Sequence, residues 1–175
     1  IIIVDLKPIM RYLTDEYETI RNTVERNEVT FIKSMLGTGK TTLMRRMIKE
    51  LWGNKKILYF SPRVSFAYEV HNDLKEQGFK LYKNRPSFEY ANKLVIQMES
   101  LHKLQLAYDI VIIDESESCL KQLTAETHKR KLKKNHKMFE RIMWNAKKVI
   151  VLDAFLSNRS HKIINTVLED IGENR

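Results

Sequence analysis

The run Ser34-Met35-Leu36-Gly37-Thr38-Gly39-Lys40-Thr41-Thr42 constrains the fold of this chain more than any other stretch. Gly-x-Gly-Lys-Thr follows an apolar run, Val29 to Ile32, and opens a segment in which Leu43, Met44, Met47, Ile48 and Leu51 recur at helical spacing. A strand that turns through two glycines into a helix aims successive backbone N–H groups and a helix N-terminus at one small volume, an arrangement suited to a nucleotide's phosphates. Two of the chain's five glycines lie in this loop, where a side chain would keep the backbone away from phosphate. Ser34 stands six residues before the lysine, where Gly or Ala is common, and is small enough to fit. The candidate nucleotide-binding residues are therefore Ser34, Gly37, Thr38, Gly39, Lys40, Thr41 and Thr42.

Further apolar runs follow at Ile57 to Phe60, Leu94 to Ile96, Ile110 to Ile113 and Val149 to Leu152. Being almost continuously apolar, they read as strands buried on both faces, which belong to parallel sheets. Helical spacing returns between and after them, in Phe66, Val70 and Leu74 after Pro62, in Met138, Phe139, Ile142 and Met143, and in Ile163, Ile164, Val167, Leu168 and Ile171. The alternation predicts an α/β doubly wound domain with a mostly parallel sheet and helices on both faces. Thr14 is placed to cap a helix whose apolar face is Tyr17, Ile20 and Val24. Residues 1–13 give no clear pattern, 83–90 with Pro86 read as a loop, and 116–145 read as two helices broken near Leu123 to Glu126. A chain of 175 residues suits one domain, spanning 1–175, and its start at Ile1 in place of Met suggests a piece of a longer protein.

In open α/β sheets the ligand lies at the carboxyl ends of strands, so a second functional strand end is expected beside the loop. Asp109-Ile110-Val111-Ile112-Ile113-Asp114-Glu115 supplies one. Taken alone, Asp114 and Glu115 suit a helix cap equally well. Paired with the loop, they suit phosphoryl chemistry, with Lys40, Asp114 and Glu115 as the catalytic set. Lys40 would neutralise the β- and γ-phosphates, Thr41 and Asp114 would complete a Mg²⁺ shell, and Glu115 would orient the attacking water. The expected reaction is hydrolysis of ATP or GTP. A phosphotransferase, which needs an acceptor pocket, and a non-catalytic nucleotide-binding module are the alternatives.

The net charge is +9, from 31 basic and 22 acidic residues. His128 to Lys137 holds six of the basic residues and no acid, so the other 25 basic and 22 acidic residues leave only +3. That one patch is either a solvated helical segment or a phosphate-contacting surface. A single cysteine, Cys119, excludes an internal disulfide, fits a reducing compartment and is most simply a small buried residue. No apolar run is long enough to span a bilayer, so a soluble, intracellular domain without a membrane partner is expected. The five histidines show no ligand spacing with Cys119, and Trp52 and Trp144 fall at positions expected to pack in the core or at helix ends.

In the order of its motifs the chain resembles the first motor domain of superfamily 2 helicases. Ser34 to Thr42 is similar to motif I, Ser61-Pro62-Arg63 to motif Ia, Gln97-Met98-Glu99-Ser100-Leu101 to Ib, Asp114-Glu115-Ser116-Glu117 to II and Leu152-Asp153-Ala154 to III. The strings Ser61 to Ala67, Gln97 to His102, Asp114 to Ser118 and Leu152 to Arg159 most resemble the replication origin-binding helicases of large DNA viruses, first described for herpesviruses. The resemblance covers Phe31 to Arg159 and implies a RecA-like P-loop NTPase, with ATP and Mg²⁺ as cofactors, that moves along or unwinds DNA in replication. It also implies a second motor domain in the parent chain, strand-phosphate contacts near Ser61, Arg63 and Ser100, and coupling of nucleotide state to grip through Asp153 and Ala154. Two departures stand out. No glutamine precedes Gln77 to read adenine, and Asp-Glu-Ser-Glu is neither common form of motif II, which leaves RNA open beside DNA.

Overall fold

The computed structural model of the chain describes residues 3–6, 12–33, 35, 37–84, 88–123, 129–154 and 158–173. Seven strands form one sheet: β1 (Ile3–Leu6), β2 (Val29–Lys33), β3 (Ile57–Phe60), β4 (Lys80–Leu81), β5 (Lys93–Ile96), β6 (Ile110–Asp114) and β7 (Lys148–Asp153). Every pairing is parallel, in the spatial order β1-β2-β7-β6-β3-β5-β4. The five strands expected from apolar runs are all present. The two additional ones lie at the sheet's edges: β1, in the segment that gave no clear pattern, and the two-residue β4. Edge strands are covered on fewer sides, so their sequences need not be continuously apolar, and short edges limit pairing with other chains.

Among the described residues six α-helices accompany the sheet: α1 (Tyr17–Arg26), α2 (Lys40–Leu51), α3 (Val64–Leu74), α4 (Ser116–Lys121), α5 (Lys129–Asn145) and α6 (Asn158–Glu173). The connections through α1, α2 and α3 run toward β4, whereas α5 leads from β6 back to β7. Right-handed crossovers in opposite directions put helices on opposite faces. Accordingly α2 packs against α3, while α5 packs against α6. The sheet is thus covered twice, and β3, β6 and most of β7 are buried along their length. This is the doubly wound, parallel architecture expected from the alternation of runs, in the RecA-like form that the resemblance implies. Among the described residues no helix is long and apolar enough to cross a membrane.

One local expectation changes. Thr14 does not cap a helix, because it lies inside a 3-10 turn, Leu13–Glu16, that runs directly into α1. Trp52 is buried, and Trp144, 36% exposed, lies at the end of α5, within the core-or-helix-end placement expected for the two. The segment read as a loop after β4 holds 3-10 turns at Tyr82–Asn84 and Phe88–Tyr90, with 85–87 outside the described residues. The break between α4 and α5 also falls mostly outside them, at 124–128.

The carboxyl edge of the sheet collects the motifs. Lys33 pairs with Asp153, Leu152 with Asp114, and Phe60 with both Ile113 and Ile96. The turns after β2, β7, β6, β3 and β5 consequently emerge side by side.

Candidate functional site

The loop after β2 bends where its glycines permit. Gly37 and Gly39 have φ of +73° and +79°, a left-handed conformation that costs a side-chain-bearing residue energy. Gly39 is the residue before α2, and the space a Cβ of Gly37 would enter is open. Ser34 and Leu36 lie outside the described residues. The loop is braced from behind by the turn that holds Thr14. There the Leu13 N–H donates to the Thr38 carbonyl at 2.9 Å, and the Thr14 methyl lies 3.8 Å from where a Gly39 Cβ would stand. Within the loop the Thr38 hydroxyl donates to the Met35 carbonyl at 2.7 Å. Tyr17 then locks α1 to α2, donating to Glu50 Oε2 at 2.5 Å beneath the Arg46 guanidinium, 3.7 Å from its ring centre. Burial first, and the bond to Glu50 second, push the Tyr17 hydroxyl up to about 12.

Asp114, the last residue of β6, is wholly buried. Its Oδ1 meets Lys40 Nζ at 2.9 Å and accepts from the Glu115 N–H at 2.9 Å, while Oδ2 accepts from the Tyr59 hydroxyl at 2.7 Å. A carboxylate removed from water needs such partners, since an unpaired one would be strongly destabilising. Burial, and then the neighbouring Asp114 charge, hold the Tyr59 hydroxyl well above its usual range, so it stays a donor. Cys119 is buried as expected and donates to the Asp114 carbonyl at 3.0 Å, with its thiol pushed up mainly by burial. Glu115 has φ +45° and ψ +60°, and is the one left-handed non-glycine residue among those described. Backbone held in so sparsely populated a region is maintained by its surroundings. Here it turns the chain sharply from β6 into α4.

Asp153 ends β7 and is also buried. It accepts from the Ser116 hydroxyl and the Glu117 N–H, each at 2.9 Å. The Glu117 carboxylate in turn accepts from the Ser160 hydroxyl at 2.8 Å and the Ser160 N–H at 3.2 Å. The acidic segment is thereby tied through β7 to α6. Ser160, like Tyr59, carries no signal in the sequence that would single it out.

A cleft of about 510 Å³ opens over these strand ends, lined by Lys40, Arg63, Phe66, Glu115, Asp153 and Ala154 among others. The Lys40 ammonium lies 5.2 Å from the Phe66 ring centre. Thr41 and Thr42 follow in the first turn of α2. The three residues offered to a strand's phosphates are dispersed. Ser61 is buried, its N–H donating to the Ile96 carbonyl at 2.9 Å and its hydroxyl to the Arg63 carbonyl at 3.3 Å. Arg63 is exposed and shares the cleft with Lys40 and Glu115. Ser100 lines a different groove. What links these segments is the Pro62 carbonyl, which accepts from Gln97 Nε2 at 3.2 Å and Gln122 Nε2 at 2.5 Å.

A magnesium polyphosphate takes hard oxygen donors and a cation; Asp114 with its Lys40 partner, and Thr41 in the first turn of α2, are the residues that could hold it. Among the described residues no group of three metal-ligating side chains exists, so a cation here would depend on the phosphates for most of its shell.

Fold and strand-end cleft together define an all-parallel α/β domain of the RecA-like class. Within that class the chain belongs to the origin of replication binding protein family, whose sequence model matches residues 16–169. Over 136 residues it is 33% identical to the replication origin-binding protein of human herpesvirus 6A (strain Uganda-1102), covering 75% of this chain and 17% of that protein. The replication origin-binding protein of varicella-zoster virus (strain Dumas) is 28% identical over 151 residues, 81% of this chain and 18% of the viral protein. An uncharacterised candidate helicase of Acanthamoeba polyphaga mimivirus is 28% identical over 159 residues, 82% of this chain and 15% of that protein. The chain thus spans less than a fifth of the length of each of these relatives.

Proposed function

We propose that this chain is the first motor domain of an ATP-driven DNA helicase or translocase acting in replication, and that it works with a second motor domain in its parent protein. One observation carries the reading: Lys40, after β2, and Asp114, at the end of β6, are remote in sequence yet meet at 2.9 Å across the end of the intervening β7, with Glu115 lining the same cleft. The names of the relatives, replication origin-binding proteins and a candidate helicase, support DNA as the strand and replication as the setting.

The backbone N–H groups from Gly37 to Thr41 hold the phosphates. Lys40 leaves Asp114 for the β- and γ-phosphates, which frees Oδ1 while Tyr59 keeps Oδ2 fixed. Mg²⁺ bound through Thr41 and Asp114 would supply neutralisation of the charge that builds on the terminal phosphate. Glu115 orients the attacking water. Asp153, joined to Ser116 and Glu117 on one side and α6 beyond, passes the state of the cleft to the strand-binding surface.

ATP hydrolysis by the full-length protein, with and without single-stranded DNA, tests the reading. Stimulation by DNA is expected, and Glu115→Gln should lower kcat on the order of 100-fold or more. Absence of stimulation would remove the motor; phosphate transfer to a small acceptor would replace it with a phosphotransferase. Unchanged hydrolysis in the variant would release Glu115 from its role.

A further inference from the structure

A second groove, of about 650 Å³, lies at the β4–β5 side of the sheet, away from the loop after β2. Its floor is aromatic: the buried rings of Tyr82 and Phe88 meet edge to face with centres 6.1 Å apart. Tyr90 stands at the groove 64% exposed, the most exposed large apolar side chain among the described residues. Two cations flank the rings, Lys83 Nζ 5.9 Å from the Tyr82 centre and Lys103 Nζ 6.0 Å from that of Phe88. Ser100, Glu89 and Gln105 add donors and acceptors.

The groove is continuous with the basic patch through one element. The 3-10 turn Met98–Lys103 presents Ser100 and Lys103 to the groove and seats α5 on another side. Asn135 of α5 makes that seat, accepting from the His102 N–H at 2.8 Å and donating to the Glu99 carbonyl at 3.0 Å. On the turns of α5 around Asn135, Arg130, Lys131, Lys133, Lys134 and Lys137 are all exposed.

Resting on the reading of the chain as a DNA motor, the geometry points to this groove as a base-stacking subsite for single-stranded DNA. Tyr90 stacks an unpaired base, Lys83 and Lys103 hold its flanking phosphates, and the α5 cations carry the neighbouring backbone. The chemistry favours an unpaired strand because a duplex buries its base faces, whereas every unpaired base offers one to an exposed ring between cations. An acidic peptide would satisfy the lysines but would leave Tyr90 without a flat partner.

The test is anisotropy of a labelled single-stranded oligonucleotide, and of an abasic strand of the same length, titrated with the full-length protein. Because Tyr90 is exposed, Tyr90→Ala should fold, which a thermal melt checks. It should weaken binding of the normal strand about 10-fold and leave the abasic strand and ATP binding unchanged. Tyr90→Phe should retain affinity. As a second arm, Lys83→Gln with Lys103→Gln should flatten the salt dependence by about two phosphate contacts, and neutralising the α5 lysines should flatten it further. Wild-type affinity in Tyr90→Ala, or equal loss on both strands, would overturn the stacking site while leaving the motor reading intact. Failure of the wild type to bind either strand would remove both.

Discussion

The strand-end cleft and the aromatic groove occupy the same sheet but are built by opposite means. The cleft sits on the central strands, and its Lys40–Asp114 pair is nearly dry, with Lys40 9% exposed and Asp114 fully buried. The groove is made by short 3-10 turns beside the last two strands, and its working groups, Tyr90, Lys83 and Lys103, face water. Buried polar groups are costly singly and stable only as a satisfied set, so the cleft is rigid and intolerant of single changes. Surface cations flanking a ring are nearly independent of one another. On the proposed reading, the difference separates a site pre-organised for chemistry from one that releases and regrips a strand.

The contrast is most exposed to failure at its lysines. Lys40→Ala should abolish hydrolysis and also destabilise the fold by about 3 kcal/mol, because it leaves the Asp114 charge buried and unpaired. Lys103→Ala should alter stability by no more than about 0.5 kcal/mol. Chemical denaturation of both variants measures this; equal stabilities would show that Asp114 is not held as a buried charge.

Asp153→Ala probes the link between cleft and surface. Loss of the acceptor for the Ser116 hydroxyl and the Glu117 N–H should cost about 2 kcal/mol. It should also reduce DNA stimulation of hydrolysis more than basal hydrolysis. Parallel loss of both rates would make Asp153 a structural residue only.

At Tyr59, Phe preserves the packing and removes one hydrogen bond to the buried Asp114 carboxylate, a loss of about 1.5 kcal/mol. The pH dependence is more telling. Tyr59 has a folded pKa well above its unfolded value near 10, so the folded state binds more protons above that pH. Its contribution is complete below about pH 10 and is lost as pH rises toward the folded value, by up to about 1.4 kcal/mol per pH unit. Tyr17 and Tyr82, both pushed up to about 12 chiefly by burial, act in the same direction. Thermal melts from pH 8 to 11 should therefore show alkaline loss of stability, shallower in Tyr59→Phe; identical slopes would refute the buried bond to Asp114.

The cleft was largely legible in the sequence and the groove was not. Gly37 to Thr42 and Asp114-Glu115 announce themselves because phosphate chemistry requires contiguous residues at one strand end, and central strands advertise burial by continuous apolarity. Tyr59 escaped notice because an aromatic residue in an apolar strand looks like any other core residue. Only the pairing of Tyr59 with Ile112 on β6 brings its hydroxyl toward the strand-end carboxylate. Arg63 was offered by the sequence as a strand contact, yet its place in the cleft beside Lys40 and Glu115 depends on how Pro62 is pinned by Gln97 and Gln122. Thr14 misled in the opposite sense: it marks a helix start by type but backs the loop after β2 in fact.

By itself the sequence determined the α/β class, the five inner strands and the residues of the loop and acidic strand end, since each of these is encoded by local periodicity or by neighbours in the chain. Tertiary structure alone decided that Lys40 and Asp114 pair, that Ser116 and Glu117 bond both Asp153 and Ser160 of α6, and that Tyr82, Phe88, Tyr90 and Lys103 share a groove. Strand order is the physical reason. With β7 inserted between β2 and β6, residues remote in sequence become neighbours at one edge, and no local pattern records which strand lies beside which.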